Sequence, residues 1–138
     1  GPEATSIQGR RLGGLLRRTR RAVKAALLDQ AVLAGVGNIY ADEALHRAGL
    51  HPARPGDSIS SPEASRLAAA IRFTLRRAIQ AGGSTLRDHV LPDGSAGVFV
   101  GQHQVYGRGG APCLHCRHPL EVVQIASRTT TFCPKCQR

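Results

Sequence analysis

The sequence predicts a mainly α-helical domain followed by a small C-terminal β-hairpin ribbon. Apolar residues recur three or four apart through much of the chain before residue 82, the period of one helix face. Glycine, proline and capping residues punctuate those stretches. The cysteines gather near the C-terminus in two C-x2-C pairs, which suit a ribbon.

Residues 1–9 (GPEATSIQG) are small and polar and read as a linker. The stretch 10–16 can begin a helix, weakened by Gly13 and Gly14. Residues 20–28 are more helical, with Val23, Ala26 and Leu27 on one face and Arg20, Arg21 and Lys24 around it. Gly35 and Gly37 then interrupt the pattern and permit a sharp turn. Asn38 stands where a helix over 39–48 would begin, and Gly49 is its natural stop. A Pro- and Gly-punctuated loop follows (51–60). The longest helix comes next, with Ser61 as N-cap, Pro62 at its first position and Glu63 facing the dipole. Its apolar stripe is Leu67, Ile71, Leu75, Ala78 and Ile79; Arg66, Arg72, Arg76 and Arg77 lie off it, and Gly82-Gly83 ends it. Residues 84–111 are glycine-rich and read as loop with short strands.

The four cysteines are Cys113, Cys116, Cys133 and Cys136, with sixteen residues between the pairs. Two such knuckles complete a tetrahedral four-thiolate site, which implies one structural zinc ion. The intervening 117–132 is long enough for a hairpin turning near Ala126-Ser127. His115 and His118 sit beside the first knuckle, but four cysteines leave them no place on the metal. Disulfides are the competing reading, yet no apolar signal segment or membrane-spanning run accompanies them. An intracellular, cytoplasmic protein close to the nucleoid is expected, with no membrane partner.

The 138 residues carry a formal charge of +10. Four thiolates and one Zn²⁺ contribute −4 + 2 = −2, leaving about +8. Six arginines and Lys24 fall between residues 10 and 24 with no acid among them. That imbalance points to a polyanion, and nucleic acid fits it better than a membrane, since no aromatic or leucine-rich face accompanies the charge. No Trp or Met occurs and only five Phe or Tyr, so the core must be aliphatic.

The Gly35-x-Gly37-Asn38 turn leads into a helix and can cradle a phosphate on backbone N–H groups. Arg128 lies near the expected hairpin tip, where zinc would hold it rigidly for phosphate or groove contact. His46, His51, His89 and His103 show no metal spacing or paired carboxylate. Asp29, Asp42, Glu43 and Glu63 fall where caps and ion pairs use them. No Ser-His-Asp order, H-E-x-x-H or Walker loop appears, so no catalytic residue is assigned. The residues themselves describe a binding module.

Several strings together resemble the formamidopyrimidine-DNA glycosylase family: LDQ at 28–30, AGVGNIYADEAL at 34–45, AGLHP at 48–52, GGSTL at 82–86, QVYGR at 104–108 and the two knuckles. The resemblance runs in order from about residue 1 to 137. It implies a helix–two-turn–helix DNA-binding domain over 10–111, with a lesion loop at 84–99, and a four-cysteine zinc finger over 112–138. It also implies base-excision repair, by a DNA glycosylase and AP lyase that releases oxidised purines and acts on damaged double-stranded DNA. The family's catalytic N-terminal proline and β-sandwich are not in this sequence. Pro2-Glu3 repeats the pair only superficially, because Gly1 makes Pro2 an amide. The chain alone is therefore expected to be inactive, a monomer that grips and bends DNA beside a missing or separate catalytic domain.

By the same resemblance Lys24 and Asn38 bind phosphates flanking the lesion, Tyr40 supports that site, and Arg128 contacts phosphates at the kink. Gly37 and Arg108 join the DNA-binding set, and Ser84, Thr85 and Arg87 belong to the lesion loop. Arg87, His89 and Val98 stand where relatives often carry lysine, phenylalanine and tyrosine, which bears on lesion preference. A free-standing nucleic-acid-binding zinc module without catalysis is the alternative.

Overall fold

A computed structural model describes residues 1–82 and 103–138. Among the described residues four α-helices, α1 (Gly9–Leu16), α2 (Val23–Leu28), α3 (Asn38–Ala48) and α4 (Ser61–Gln80), precede an antiparallel hairpin of β1 (Glu121–Ile125) and β2 (Arg128–Phe132). The predicted fold class is the observed one. Among the described residues no strand occurs in 103–111, where short strands were expected.

Residues 1–9, expected as a linker, are anchored to the helical core. Ala4–Ser6 forms a 3-10 turn, and Ala4 and Ile7 are buried in the helical core. The Ala4 N–H donates to Ala34 O and the Ala34 N–H to Pro2 O, so this segment pairs with the turn before α3. Small polar residues masked two apolar anchors spaced three apart.

α1 forms despite Gly13 and Gly14, and Gly9 and Gly13, though not Gly14, face α4. A Cβ on Gly9 would come within 2.8 Å of the Ser65 Cα, and one on Gly13 within 3.4 Å of the Ala64 Cβ. Glycines four apart thus let α1 lie close against α4, and burial of Leu12 and Leu16 offsets their poor helix propensity. α2 is shorter than expected and starts only at Val23.

α4 is capped one residue earlier than predicted. The Ser60 hydroxyl accepts from the Glu63 N–H while the Glu63 carboxylate accepts from the Ser60 N–H, a complete capping box. Ser61 and Pro62 then fill the first two helical positions. Leu67, Ile71, Leu75 and Ala78 face the core as expected, but Ile79 is 65% exposed. α3 ends at Gly49, whose φ of 74° supplies the left-handed cap.

One aliphatic core, running from Ala4 to Leu75, joins all four helices. The ribbon's own cluster is minimal: Val105 and Leu120 packed with Cys113, Cys133 and Cys136.

Candidate nucleic-acid interface

The four cysteine sulfurs lie within 4.8 Å of one another. Cys113 and Cys136 Sγ are 3.8 Å apart, and Cys116 and Cys133 Sγ 3.4 Å. A zinc ion with bonds of about 2.3 Å needs edges of about 3.8 Å, so the set fits tetrahedral zinc. Each knuckle returns an N–H to its first sulfur, from His115 to Cys113 and from Cys136 to Cys133. Burial opposes ionisation of Cys113, but N–H groups and His46 bring its pKa down to about 5. Burial and the crowding sulfurs push Cys136 up to about 12. Four thiolates so close need a soft divalent cation to coexist.

Metal-held knuckles fix the base of the hairpin, and Ala126 and Ser127 turn its tip with φ of 52° and 61°. Both values are those of a two-residue I′ turn, which matches strand twist but is unfavourable for residues with a Cβ. Arg128 follows immediately as the first residue of β2, exposed to solvent.

β2 is tied to the helices by a buried polar network. Lys24 Nζ lies 2.7 Å from Asp42 Oδ1, donates to Thr130 Oγ1 at 2.7 Å and to Thr129 O at 3.1 Å. Asp42 Oδ2 accepts the Thr131 N–H at 3.1 Å. Asn38 Nδ2 donates to the same Thr129 carbonyl at 3.1 Å, leaving its second amide hydrogen for a ligand. Burial pushes the Lys24 ammonium down and the Asp42 carboxyl up, each opposed by the other's charge.

Asn38 opens α3 behind Gly37, and no side chain caps this end. A Cβ on Gly37 would meet nothing within 4 Å, so the approach is open. The Gly35 N–H is satisfied internally by Gln30 Oε1 at 2.9 Å, which stiffens the turn. An uncapped helix start carries orphan N–H donors and the positive end of the dipole, both suited to a phosphate.

α3 anchors the rest of the ribbon too. The Glu43 carboxylate accepts three consecutive N–H groups, from Gln104, Val105 and Tyr106, at 2.6–2.9 Å. His46 Nε2 lies 3.8 Å from Cys113 Sγ. The buried Gln137 side chain accepts from the Cys133 N–H and donates to Leu50 O.

Residues 1–90 match the formamidopyrimidine-DNA glycosylase H2TH domain, and residues 110–138 match the zinc finger found in FPG and IleRS. The chain belongs to the formamidopyrimidine-DNA glycosylase family. It is 48% identical over its whole length to the formamidopyrimidine-DNA glycosylase of Alkalilimnicola ehrlichii, and 49% identical over 99% of its length to that of Thermomicrobium roseum. It covers 50% and 48% of those proteins, and so spans about half the length of the curated relatives it matches. The MutM (Fpg) structure from Thermus thermophilus superposes with a TM-score of 0.86 at 49% identity, over 99% of this chain and 53% of that one. Lactococcus lactis Fpg in complex with abasic-site DNA gives 0.87 at 35% identity, over 100% and 51%.

Within this glycosylase-family fold the predicted site residues separate into groups. The four cysteines converge as a zinc finger of the family's type. Gly37, Asn38 and Arg128 lie around the network at the start of α3 and the hairpin tip. Lys24 is drawn into that network from below and is fully buried rather than presented to solvent, because Asp42 sits one helical turn behind Asn38. Tyr40 is half-buried against the core. Arg108 donates to Gln104 O at 2.7 Å and Pro112 O at 3.0 Å, securing the turn before the first knuckle. Ser84, Thr85 and Arg87, with the expected loop 84–99, lie outside the described residues.

The sequence placed Asp42 and Glu43 where caps and ion pairs use them without naming their partners, and it gave no sign of Gln137. Asp42 and Glu43 are adjacent on α3 and turn to different partners, Lys24 and the N–H groups of residues 104–106, which no local spacing specifies.

Proposed function

We propose that this chain is the DNA-gripping C-terminal half of a base-excision DNA glycosylase and AP lyase that removes oxidised purines in its intact form. The observation supporting this most is the shared Thr129 carbonyl. Asn38 and Lys24 both donate to it, so the open start of α3 and the residue next to Thr129, Arg128, are held as one unit. A phosphate at the α3 N-terminus gains the dipole, backbone N–H groups and the free Asn38 amide hydrogen. The Arg128 guanidinium forks onto a neighbouring phosphate, and two such contacts held rigidly favour a bent duplex over a straight one. Zinc supplies folding energy to the hairpin when bound and takes no part in bond breaking.

The fit to relatives solved with abasic-site DNA supports the same partner for this chain. Its Lys24 amine is paired and buried, so it offers no nucleophile to a sugar C1′. The grip needs only one copy, and we take the working form to be a monomer acting on cellular DNA beside a catalytic domain.

The test is gel-shift titration against a duplex carrying one abasic site, with borohydride trapping in parallel. Binding without a covalent complex is expected, and Arg128→Ala should weaken it by about 1–3 kcal/mol. Unchanged affinity would remove the finger from the grip. A trapped complex would show a working amine and overturn the non-catalytic assignment.

A further inference from the structure

We propose that the exposed face of α1 is a second phosphate-binding track, engaging duplex DNA that flanks the Asn38–Arg128 clamp; this rests on the DNA-binding reading above. Gln8, Arg10, Arg11, Gly14, Leu15 and Arg18 line a shallow groove of about 480 Å³. A Cβ on Gly14 would meet nothing within 4 Å, so the groove floor is bare helix backbone. Arg10, Arg11 and Arg18 are exposed, and their side chains form no hydrogen bond or ion pair among the described residues.

That freedom distinguishes them from neighbouring arginines. Arg17 donates to Ser61 Oγ, Arg20 lies 3.9 Å from Asp57, and Arg21 is paired with Asp29 at 3.1 Å. The acids that could neutralise this region are thus engaged elsewhere, and none lines the groove. Three unpaired guanidinium groups repel one another and are stabilised when an anion with closely spaced charges lies between them. Arg10 stands at the start of α1 and Arg18 just past its end at Leu16, so they bracket a helix about 12 Å long at 1.5 Å per residue. A duplex offers about one charge per 1.7 Å of its axis, so several phosphates fall within that span. Leu15 is the one large apolar side chain lining the groove, too little for a protein partner to bury.

The track is also continuous with the clamp. Five residues separate Arg18 from Lys24, which touches Thr129 O, so over six chain steps their Cα atoms are at most about 22 Å apart. That is about six base pairs at 3.4 Å each. A flank of about 12 base pairs, about 41 Å long, therefore covers this limit and the length of α1 beyond it, whereas about 5 base pairs, about 17 Å, does not.

The experiment uses the zinc-loaded chain and two abasic-site duplexes, with flanks of about 5 and about 12 base pairs, titrated across a salt series. The variant is Arg10→Gln with Arg11→Gln and Arg18→Gln, exposed positions where glutamine keeps helix propensity. On the long duplex we expect affinity to fall about tenfold and the log–log salt slope to drop by about 2–3, near 0.9 per lost phosphate. On the short duplex variant and parent should agree within about twofold. The triple lysine replacement should keep the parental salt slope, which separates lost charge from lost folding. Equal affinities on the long duplex, or equal losses on both, would overturn the track. If Arg128→Ala is also without effect, or the parent binds neither duplex, the DNA-binding reading itself fails.

Discussion

Lys24 and Asp42 form an ion pair at 2.7 Å with side chains 0% and 1% exposed, joining α2 to α3 beneath β2. Removing one partner leaves the other buried without compensation, so Lys24→Met and Asp42→Asn should each cost about 3–5 kcal/mol. The double variant Lys24→Met/Asp42→Asn should cost less than the sum of the two, because it removes both charges and the amide oxygen introduced at position 42 can still accept the Thr131 N–H. Urea unfolding of the four proteins gives the coupling energy. Lys24→Met should also weaken DNA binding by displacing β2, yet leave the salt slope unchanged. A slope lowered by about 0.9 would instead mean that Lys24 itself reaches a phosphate.

Zinc removal should melt the ribbon first. Its cluster holds only two aliphatic residues besides the cysteines, whereas the helical core runs from Ala4 to Leu75. Chelation is expected to abolish hairpin amide protection over 112–138 and retain most helical circular dichroism. Loss of the helical signal would mean that the Asp42, Glu43 and Gln137 bridges make the two parts one cooperative unit.

The helices, the zinc ligands and the hairpin turn were legible because each rests on a local rule: period, cap chemistry or knuckle spacing. The burial of Lys24 was not, since its partner Asp42 is eighteen residues away and Thr130 far beyond. A basic run gives no sign that one of its members points inward. The anchoring of residues 1–9 was hidden for a similar reason: Ala4 and Ile7 gain their burial from α4 and the Ala34 turn, contacts that no local pattern encodes. The one-residue shift of the α4 cap is a smaller failure, arising because Ser60 and Ser61 are chemically equivalent candidates and only Ser60 stands three residues before Glu63.

The hairpin tip can be improved. Ala126 and Ser127 both occupy left-handed backbone, which costs about 1 kcal/mol or more per residue with a Cβ. Ala126→Asn with Ser127→Gly installs the preferred I′ pair, and zinc-loaded protein should gain about 1 kcal/mol in urea unfolding of the ribbon. The register of Arg128 is unchanged by the replacement, so DNA affinity should stay within about twofold. A loss of stability would show that the tip is not a relaxed I′ turn.

Acid should attack the start of α4 in a defined window. Arg54 holds the Glu63 carboxylate at 2.6 and 2.9 Å, and with the Ser60 N–H it lowers the Glu63 pKa from 4.5 to about 2. A folded-state pKa below the unfolded value means that the stabilisation is complete above about pH 4.5 and is lost as pH falls towards 2. With the Glu63 side chain 21% exposed, solvent screening reduces the contribution to about 1–3 kcal/mol. Glu63→Gln should therefore be less stable than the parent at pH 6 and converge with it near pH 2. Thiolate protonation releases zinc in both proteins over the same range, so the difference between their helical melting curves is the quantity to follow. A difference independent of pH would mean that the carboxylate charge contributes nothing and that only the cap hydrogen bonds matter.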